Sequence, residues 1–192
     1  MVCVTILGVQ LRIDFTAPAL GAMLCMMLPL PAVLQMCLAC ILHEGSHFAA
    51  LWYFGCHPRT LRISALGMEL GGEHLTLYPP VQQAVILLSG AGMNLAVGCV
   101  CMLLGMADAA MWQFATALCN LLPYRCTDGG TLLYWLLDGV LGAAYGHHLR
   151  SIWRIWSVTV TIVLSLLLLH LPACPISIWG ILLFLFVWEW LR

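Results

Sequence analysis

Apolar stretches long enough to cross a lipid bilayer recur along this chain of 192 residues, and they restrict its fold more than any other feature. The stretch from Ala32 to Phe54 is long enough to span as one helix, and so is a second stretch from about Val81 to Met106. Hydrophobic residues make up 63% of the sequence and charged residues only 8%. A water-soluble domain of this size does not require so much apolar surface, so we predict a multi-pass membrane protein.

The predicted fold is an all-α polytopic membrane protein with about six transmembrane segments, in one domain that covers residues 1–192. Prolines separate the first two segments, and the polar sequence NLLPYRCTDGG interrupts the fourth. The segments run over about residues 17–28, 32–54, 81–106, 111–145, 151–171 and 176–191.

Two shorter regions predict β-structure at the membrane surface. In VQLRIDF, residues 9–15, apolar and polar residues alternate with the period of a half-buried strand. Residues 55–80 contain charged residues among short apolar runs, and Gly71 and Gly72 resemble the turn of a β-hairpin. We therefore expect a small membrane-associated sheet or hairpin beside the helices.

The basic residues predict the orientation of the chain. All seven are arginines, and with a net charge of -1 they form no basic patch for nucleic acid. Six segments place both termini on one side of the membrane, and that side holds all the arginines except Arg125. Because basic residues are retained in the cytoplasm, we predict that both termini and the hairpin are cytoplasmic. The arginines on this side are Arg12, Arg59, Arg62, Arg150, Arg154 and Arg192.

The stretch CILHEGSHFAALWYF, residues 40–54, carries ionisable side chains within a predicted span. His43 and His47 are four residues apart, so both imidazoles project from one face of a helix and can bind one Zn²⁺. Glu44 beside them is a candidate general base. An acidic group at the centre of a span costs about 2.5–3.5 kcal/mol on insertion scales, which favours a functional role.

A catalytic zinc site needs a third protein ligand. Asp128, in the interrupted fourth segment, can supply a carboxylate oxygen. Pro123 breaks the helix ahead of it, and the two glycines after it allow a tight backbone turn. The alternative is an ordinary loop in which Asp128 caps the next helix. The two-histidine site in the same chain favours the ligand role.

The combination of HEGSH with a later NLLPYRCTDGG resembles the site-2 protease family of intramembrane zinc metalloproteases, and within it the stage IV sporulation protease branch of spore-forming bacteria. The resemblance implies that His43, His47 and Asp128 hold one Zn²⁺ per chain and that Glu44 is the general base. Two asparagines are implied as candidates for oxyanion stabilisation or substrate contact. They are Asn120, which opens the aspartate motif, and Asn94, which ends the small-residue sequence SGAGMN.

The sequence differs from the family pattern at three points. Ser46 stands where the family usually has glycine, and Thr127 stands where it commonly has leucine. The chain also stops at Arg192, whereas the sporulation branch carries a nucleotide-sensing domain after its last span. We therefore expect a catalytic core over about residues 32–146 and no C-terminal regulatory domain.

The function implied by the resemblance is hydrolysis of peptide bonds in membrane-associated or single-span proteins, including processing of a sporulation sigma factor. The expected partners are the protein substrate, the lipid bilayer and an inhibitory membrane protein, and the expected location is a bacterial cell membrane. A non-hydrolytic zinc transporter or sensor is the alternative, although it needs no acid beside its ligands. A zinc peptidase that trims soluble tails is another, although its third ligand is normally histidine or glutamate.

The edge of the predicted sheet is a candidate substrate site. An unwound peptide in a membrane cavity must pair its amide groups, because each unpaired group costs several kcal/mol. Binding of the substrate as an additional strand would pair them. A sheet with only a structural role is the alternative. The residues assigned to the substrate strand are Ile63, Ala65, Met68 and Leu70.

Overall fold

The computed structural model describes residues 2–6, 9–55, 60–64, 67–71, 79–124, 127–141 and 146–169. Within these ranges the protein is mostly helical and has one small sheet, as predicted. The strands are β1 (Val2–Ile6), β2 (Val9–Ile13), β3 (Thr60–Ser64) and β4 (Gly67–Gly71). The helices are α1 (Thr16–Met27), α2 (Leu30–Tyr53), α3 (Pro80–Leu103), α4 (Ala107–Leu121), α5 (Asp128–Leu141) and α6 (Gly146–Leu169).

The chain divides into two compact units, Met1–Leu118 and Cys119–Arg192. In the first unit the four strands form a sheet in the order β1-β2-β3-β4. The two outer pairs are antiparallel, and the inner strands β2 and β3 are parallel. A parallel pair needs a long crossover, which here consists of α1 and α2. The Arg62 guanidinium reaches the Asp14 carboxylate at 2.6 Å, which ties β3 to the residue after β2.

The hairpin of β3 and β4 turns at a different place from the predicted one. Ser64 pairs with Gly67, so the chain reverses between these two residues. Gly71 is the last residue of β4 and not part of the turn, and Gly72 lies outside the described residues.

The predicted substrate strand is therefore divided between two strands. Ile63 lies on the inner strand β3, where it pairs with Ile13 on one side and Met68 on the other, so it is not at an edge. Met68 and Leu70 lie on β4, the last strand in the sheet order. Ala65 lies outside the described residues.

Helices α2 and α3 pack against each other in the first unit. Both helices carry a proline in the first turn, Pro31 in α2 and Pro80 in α3, and each follows a proline that precedes the helix, Pro29 or Pro79. A proline in the first turn costs no hydrogen bond, because the first N–H groups of a helix have no intrahelical partner. The buried residues of α3 recur every three or four positions and form one face: Gln83, Ile86, Leu87, Gly90, Ala91, Asn94 and Gly98.

In the second unit, α5 and α6 pack through aromatic contacts. Trp153 of α6 is 2% exposed, and its ring is nearly perpendicular to that of Tyr134 of α5, with centroids 5.5 Å apart. Tyr124 precedes α5, and its hydroxyl forms a 2.7 Å hydrogen bond with Thr161 Oγ1 of α6. These contacts fix the chain before α5 against α6.

Helix α3 is the one helix among the described residues that has the length and apolar composition needed to cross a membrane. Helices α1, α4 and α5 measure only about 18–23 Å at 1.5 Å per residue, less than the roughly 30 Å hydrocarbon core. The predicted interruption of the fourth segment is confirmed, since α4 ends at Leu121 and α5 begins at Asp128. The count of about six spans stays a prediction, and its last segment lies outside the described residues.

Candidate metal centre

His43 and His47 lie on the buried face of α2, as their spacing predicts. Their exposed fractions are 3% and 7%. Ser46, which differs from the usual glycine of the resembled family, lies on the same face and donates its hydroxyl to the His43 carbonyl at 2.6 Å. Because the hydroxyl is satisfied within its own helix, this difference adds no unpaired polar group beside the imidazoles.

The two imidazoles converge on one point. Nε2 of His43 and Nε2 of His47 are 3.2 Å apart, and the ring planes cross at 83°. Two nitrogens bound to one zinc ion at the usual Zn–N distance and a tetrahedral angle would lie about 3.3–3.4 Å apart. The pair therefore fits a shared zinc ion with little movement.

The second ring nitrogen of His47 is held by α3. Nδ1 lies 2.7 Å from the carbonyl oxygen of Ile86 and 3.2 Å from Ser89 Oγ. A carbonyl only accepts hydrogen bonds, so in the neutral ring Nδ1 carries the proton and Nε2 presents its lone pair. The contact with Ile86 could not be predicted from the sequence, because the acceptor is a backbone carbonyl, which every residue carries. Ser89 belongs to SGAGMN, whose small residues indicate a close contact between helices.

Asp128 is the first residue of α5, and Thr127 caps that helix. The Thr127 hydroxyl accepts the Gly130 N–H at 3.3 Å, and its own proton is shared between the Leu122 carbonyl and the Tyr124 carbonyl, the latter at 2.8 Å. The alternative in which Asp128 is the capping residue is therefore wrong.

Gly129 and Gly130 bring the start of α5 against the preceding backbone. A Cβ on Gly129 would lie 2.6 Å from the Leu121 carbonyl oxygen, and a Cβ on Gly130 would overlap the Tyr124 carbonyl. Only glycine permits this approach. The two glycines thus allow the tight turn that the sequence predicts beside Asp128.

His43, His47 and Asp128 are a group of side chains that could hold a metal ion. Both histidines are buried and Asp128 is half-buried. Imidazole nitrogen and carboxylate oxygen are typical zinc ligands, and three protein ligands leave a fourth position open, as in catalytic sites. These are the three zinc ligands predicted from the sequence, and their role as ligands stays a prediction.

The remaining predicted site residues are Glu44, Asn120 and Asn94, and each lies on a different helix. Glu44 is half-buried and follows His43 directly in α2. Asn120 is half-buried in the last turn of α4. Asn94 of α3 is fully buried, and its Nδ2 donates to the Ala39 carbonyl of α2 at 3.3 Å. One amide hydrogen of Asn94 therefore joins α3 to α2 one turn before His43, a positioning role that the sequence did not indicate.

Sequence comparison finds no matching protein-family model and no matching curated protein. The solved structure of the site-2 protease from Methanocaldococcus jannaschii does match, with a TM-score of 0.67 and 15% sequence identity, over 98% of this chain and 93% of that one. At this level of identity the likeness concerns the fold and leaves activity to be argued from the site. The chain is therefore similar in fold to a site-2 protease over nearly its whole length.

Proposed function

We propose that this protein is an intramembrane zinc metalloprotease, which hydrolyses peptide bonds of membrane-associated or single-span proteins within or near the bilayer. The observation that carries the proposal is the pair of buried Nε2 atoms of His43 and His47, 3.2 Å apart, in a chain with a site-2 protease fold. Asp128 completes a set of three protein ligands.

The proposed mechanism assigns a role to each polar side chain. His43, His47 and Asp128 would hold one Zn²⁺, which supplies Lewis acidity that brings the pKa of water to about 7 and polarises a carbonyl. Glu44 takes the proton from the attacking water and returns it to the leaving amine. Asn120 and Asn94 are the candidate hydrogen-bond donors to the oxyanion.

The proposed location is a bacterial cell membrane, with both termini and the sheet on the cytoplasmic side. The distribution of arginines in the sequence and the long apolar helix α3 support this location. Water must reach the three ligands for hydrolysis to occur, so the site requires a cavity that opens to the cytoplasm.

We infer that the substrate binds as an additional strand on β4. This strand ends the sheet order, and an edge strand presents unpaired backbone N–H and C=O groups. A locally unwound substrate needs partners of this kind for its own amides. Met68 and Leu70 lie on β4 and remain candidates for this contact. The proposed partners are a membrane-associated substrate, such as a sporulation sigma-factor precursor, and an inhibitory membrane protein.

The test is cleavage of co-expressed candidate substrates by the wild type and by Glu44→Gln. A neutral amide cannot accept the proton but leaves all three ligands in place, so the variant should retain about one zinc ion per chain and lose cleavage. Asp108→Asn, the same chemical change at an exposed carboxylate in α4, is the control. Metal-dependent cleavage by Glu44→Gln would contradict the mechanism. Zinc binding by a wild type that cleaves no candidate would favour a transporter or sensor.

A further inference from the structure

Gly90 of α3 lies at the tips of both imidazoles. A Cβ built on Gly90 would lie 2.7 Å from His43 Nε2, 2.6 Å from His43 Cε1 and closer still to His47 Nε2. Real Cβ atoms essentially never approach other atoms to within 3.0 Å. The missing side chain therefore leaves open the volume beside both Nε2 atoms.

We propose that Gly90 is a positioning residue of the metal centre, because its lack of a side chain leaves the space that the zinc ion occupies. The inference rests on the proposed zinc site. A zinc ion lies about 2.0–2.1 Å from each histidine nitrogen. An alanine methyl group would lie at 2.7 Å or less from the same two nitrogens. A methyl group on residue 90 would therefore occupy the space beside the two Nε2 atoms that a zinc ion needs.

The imidazoles have little freedom to move away from such a methyl group. Both are buried, and Nδ1 of His47 is held at 2.7 Å by the Ile86 carbonyl. Ile86 lies four residues before Gly90, on the same buried face of α3. One turn of α3 thus fixes the far side of the His47 ring and clears the space at its Nε2.

Gly92 provides a matched control within the same helix. A Cβ on Gly92 meets no atom within 4 Å, and Gly92 is exposed. Both glycines lie in the interior of α3, so a change to alanine has the same effect on helix propensity at either position. The two variants differ in what the new methyl group contacts.

The experiment measures zinc content and zinc affinity, by competition with a chelator, for the purified full chain in detergent. The wild type and Gly92→Ala should hold about one zinc ion, and Gly90→Ala should bind zinc at least about tenfold more weakly. Wild-type affinity in Gly90→Ala would overturn this inference and leave the proposed function standing. A wild type that binds no zinc would overturn both.

A second measurement separates loss of the metal position from loss of the fold. The thermal midpoint of the zinc-free protein is compared for Gly90→Ala in the wild-type background and in a His43→Ala/His47→Ala background. Removal of both imidazoles removes the three atoms nearest to the new methyl group. Gly90→Ala should therefore lower the midpoint in the first background and not in the second. An equal decrease in both would assign Gly90 to helix packing alone and overturn the inference.

Discussion

The imidazole of His47 donates a 2.7 Å hydrogen bond from Nδ1 to the carbonyl oxygen of Ile86. Hydrogen bonds of this kind fix the tautomer and the orientation of histidine ligands in metalloproteins. Here the acceptor is a backbone atom of another helix, so no single side-chain replacement at Ile86 removes it. Helix α3 is thus part of the candidate metal centre, although none of the three candidate ligands lies on it.

Replacement of Asp128 with alanine should lower zinc affinity and abolish cleavage, because it removes one of the three proposed protein ligands. Loss of a group that only supports a ligand typically costs about 10–100-fold in metal affinity, so loss of the ligand itself should cost at least as much. Asp108→Ala is the control, since Asp108 is also in the first turn of a helix but is exposed. Equal zinc content in the wild type and Asp128→Ala would remove Asp128 from the ligand set.

Replacement of Thr127 with valine should destabilise the start of α5. The change keeps the side-chain shape but removes the hydroxyl that accepts the Gly130 N–H and donates to the Tyr124 carbonyl. We expect the free energy of unfolding to fall by about 1–2 kcal/mol and zinc affinity to fall with it, because the first residue of α5, Asp128, is a proposed zinc ligand.

The control for Thr127 is an exposed threonine whose hydroxyl bonds within its own helix. Thr159 Oγ1 donates to the Ile155 carbonyl at 2.9 Å in α6. Thr159→Val should change the free energy of unfolding by less than about 0.5 kcal/mol. Similar losses at both positions, measured by denaturant unfolding in detergent, would show that capping of α5 is not what Thr127 contributes.

The three candidate ligands could be named from the sequence because their chemistry appears in local patterns. His43 and His47 are one turn apart in any helix, and Asp128 is a carboxylate at a helix interruption. The contributions of Ile86 and Gly90 could not be predicted in this way, because they depend on which face of α3 meets α2. The small residues of SGAGMN indicated a close helix contact without identifying its partner.

The strands of the sheet were also predicted only in part from the sequence. Alternation predicted β2, but VCVTI does not alternate regularly, so β1 was missed. Gly71 and Gly72 resemble a hairpin turn, yet the reversal falls between Ser64 and Gly67, where Ala65 and Leu66 carry no turn preference. Strand pairing and register are fixed by contacts with other strands, which a single segment of sequence does not contain.

Reporter fusions should test the proposed membrane orientation. Fusions after Arg62, Arg150 and Arg192 should report the cytoplasm, because arginine-rich segments are retained on that side. Fusions near Asp108 and Pro172 should report the opposite side. A non-cytoplasmic signal after Arg62 would overturn the six-segment topology. A non-cytoplasmic signal after Arg192 alone would contradict only the predicted sixth segment.

Proline substitutions in β4 should test strand addition of the substrate. Along an edge strand, backbone N–H groups alternate between the partner strand and the open edge, so neighbouring positions have different roles. Proline removes the N–H without adding charge. Among Met68, Glu69 and Leu70, positions with an outward N–H should lose cleavage and keep normal zinc content and accumulation. Positions whose N–H faces β3 should accumulate poorly, because a ladder hydrogen bond is lost.

Strand β1, at the other edge of the sheet, supplies the comparison for β4. Proline at Val4 or Thr5 removes an N–H from an edge that the proposal does not assign to substrate, so cleavage should persist wherever the variant accumulates. The measurement is cleaved fraction per amount of accumulated, zinc-loaded protein. If every β4 variant either cleaves as well as the wild type or fails to accumulate, the substrate does not pair with β4, and the sheet has only a structural role.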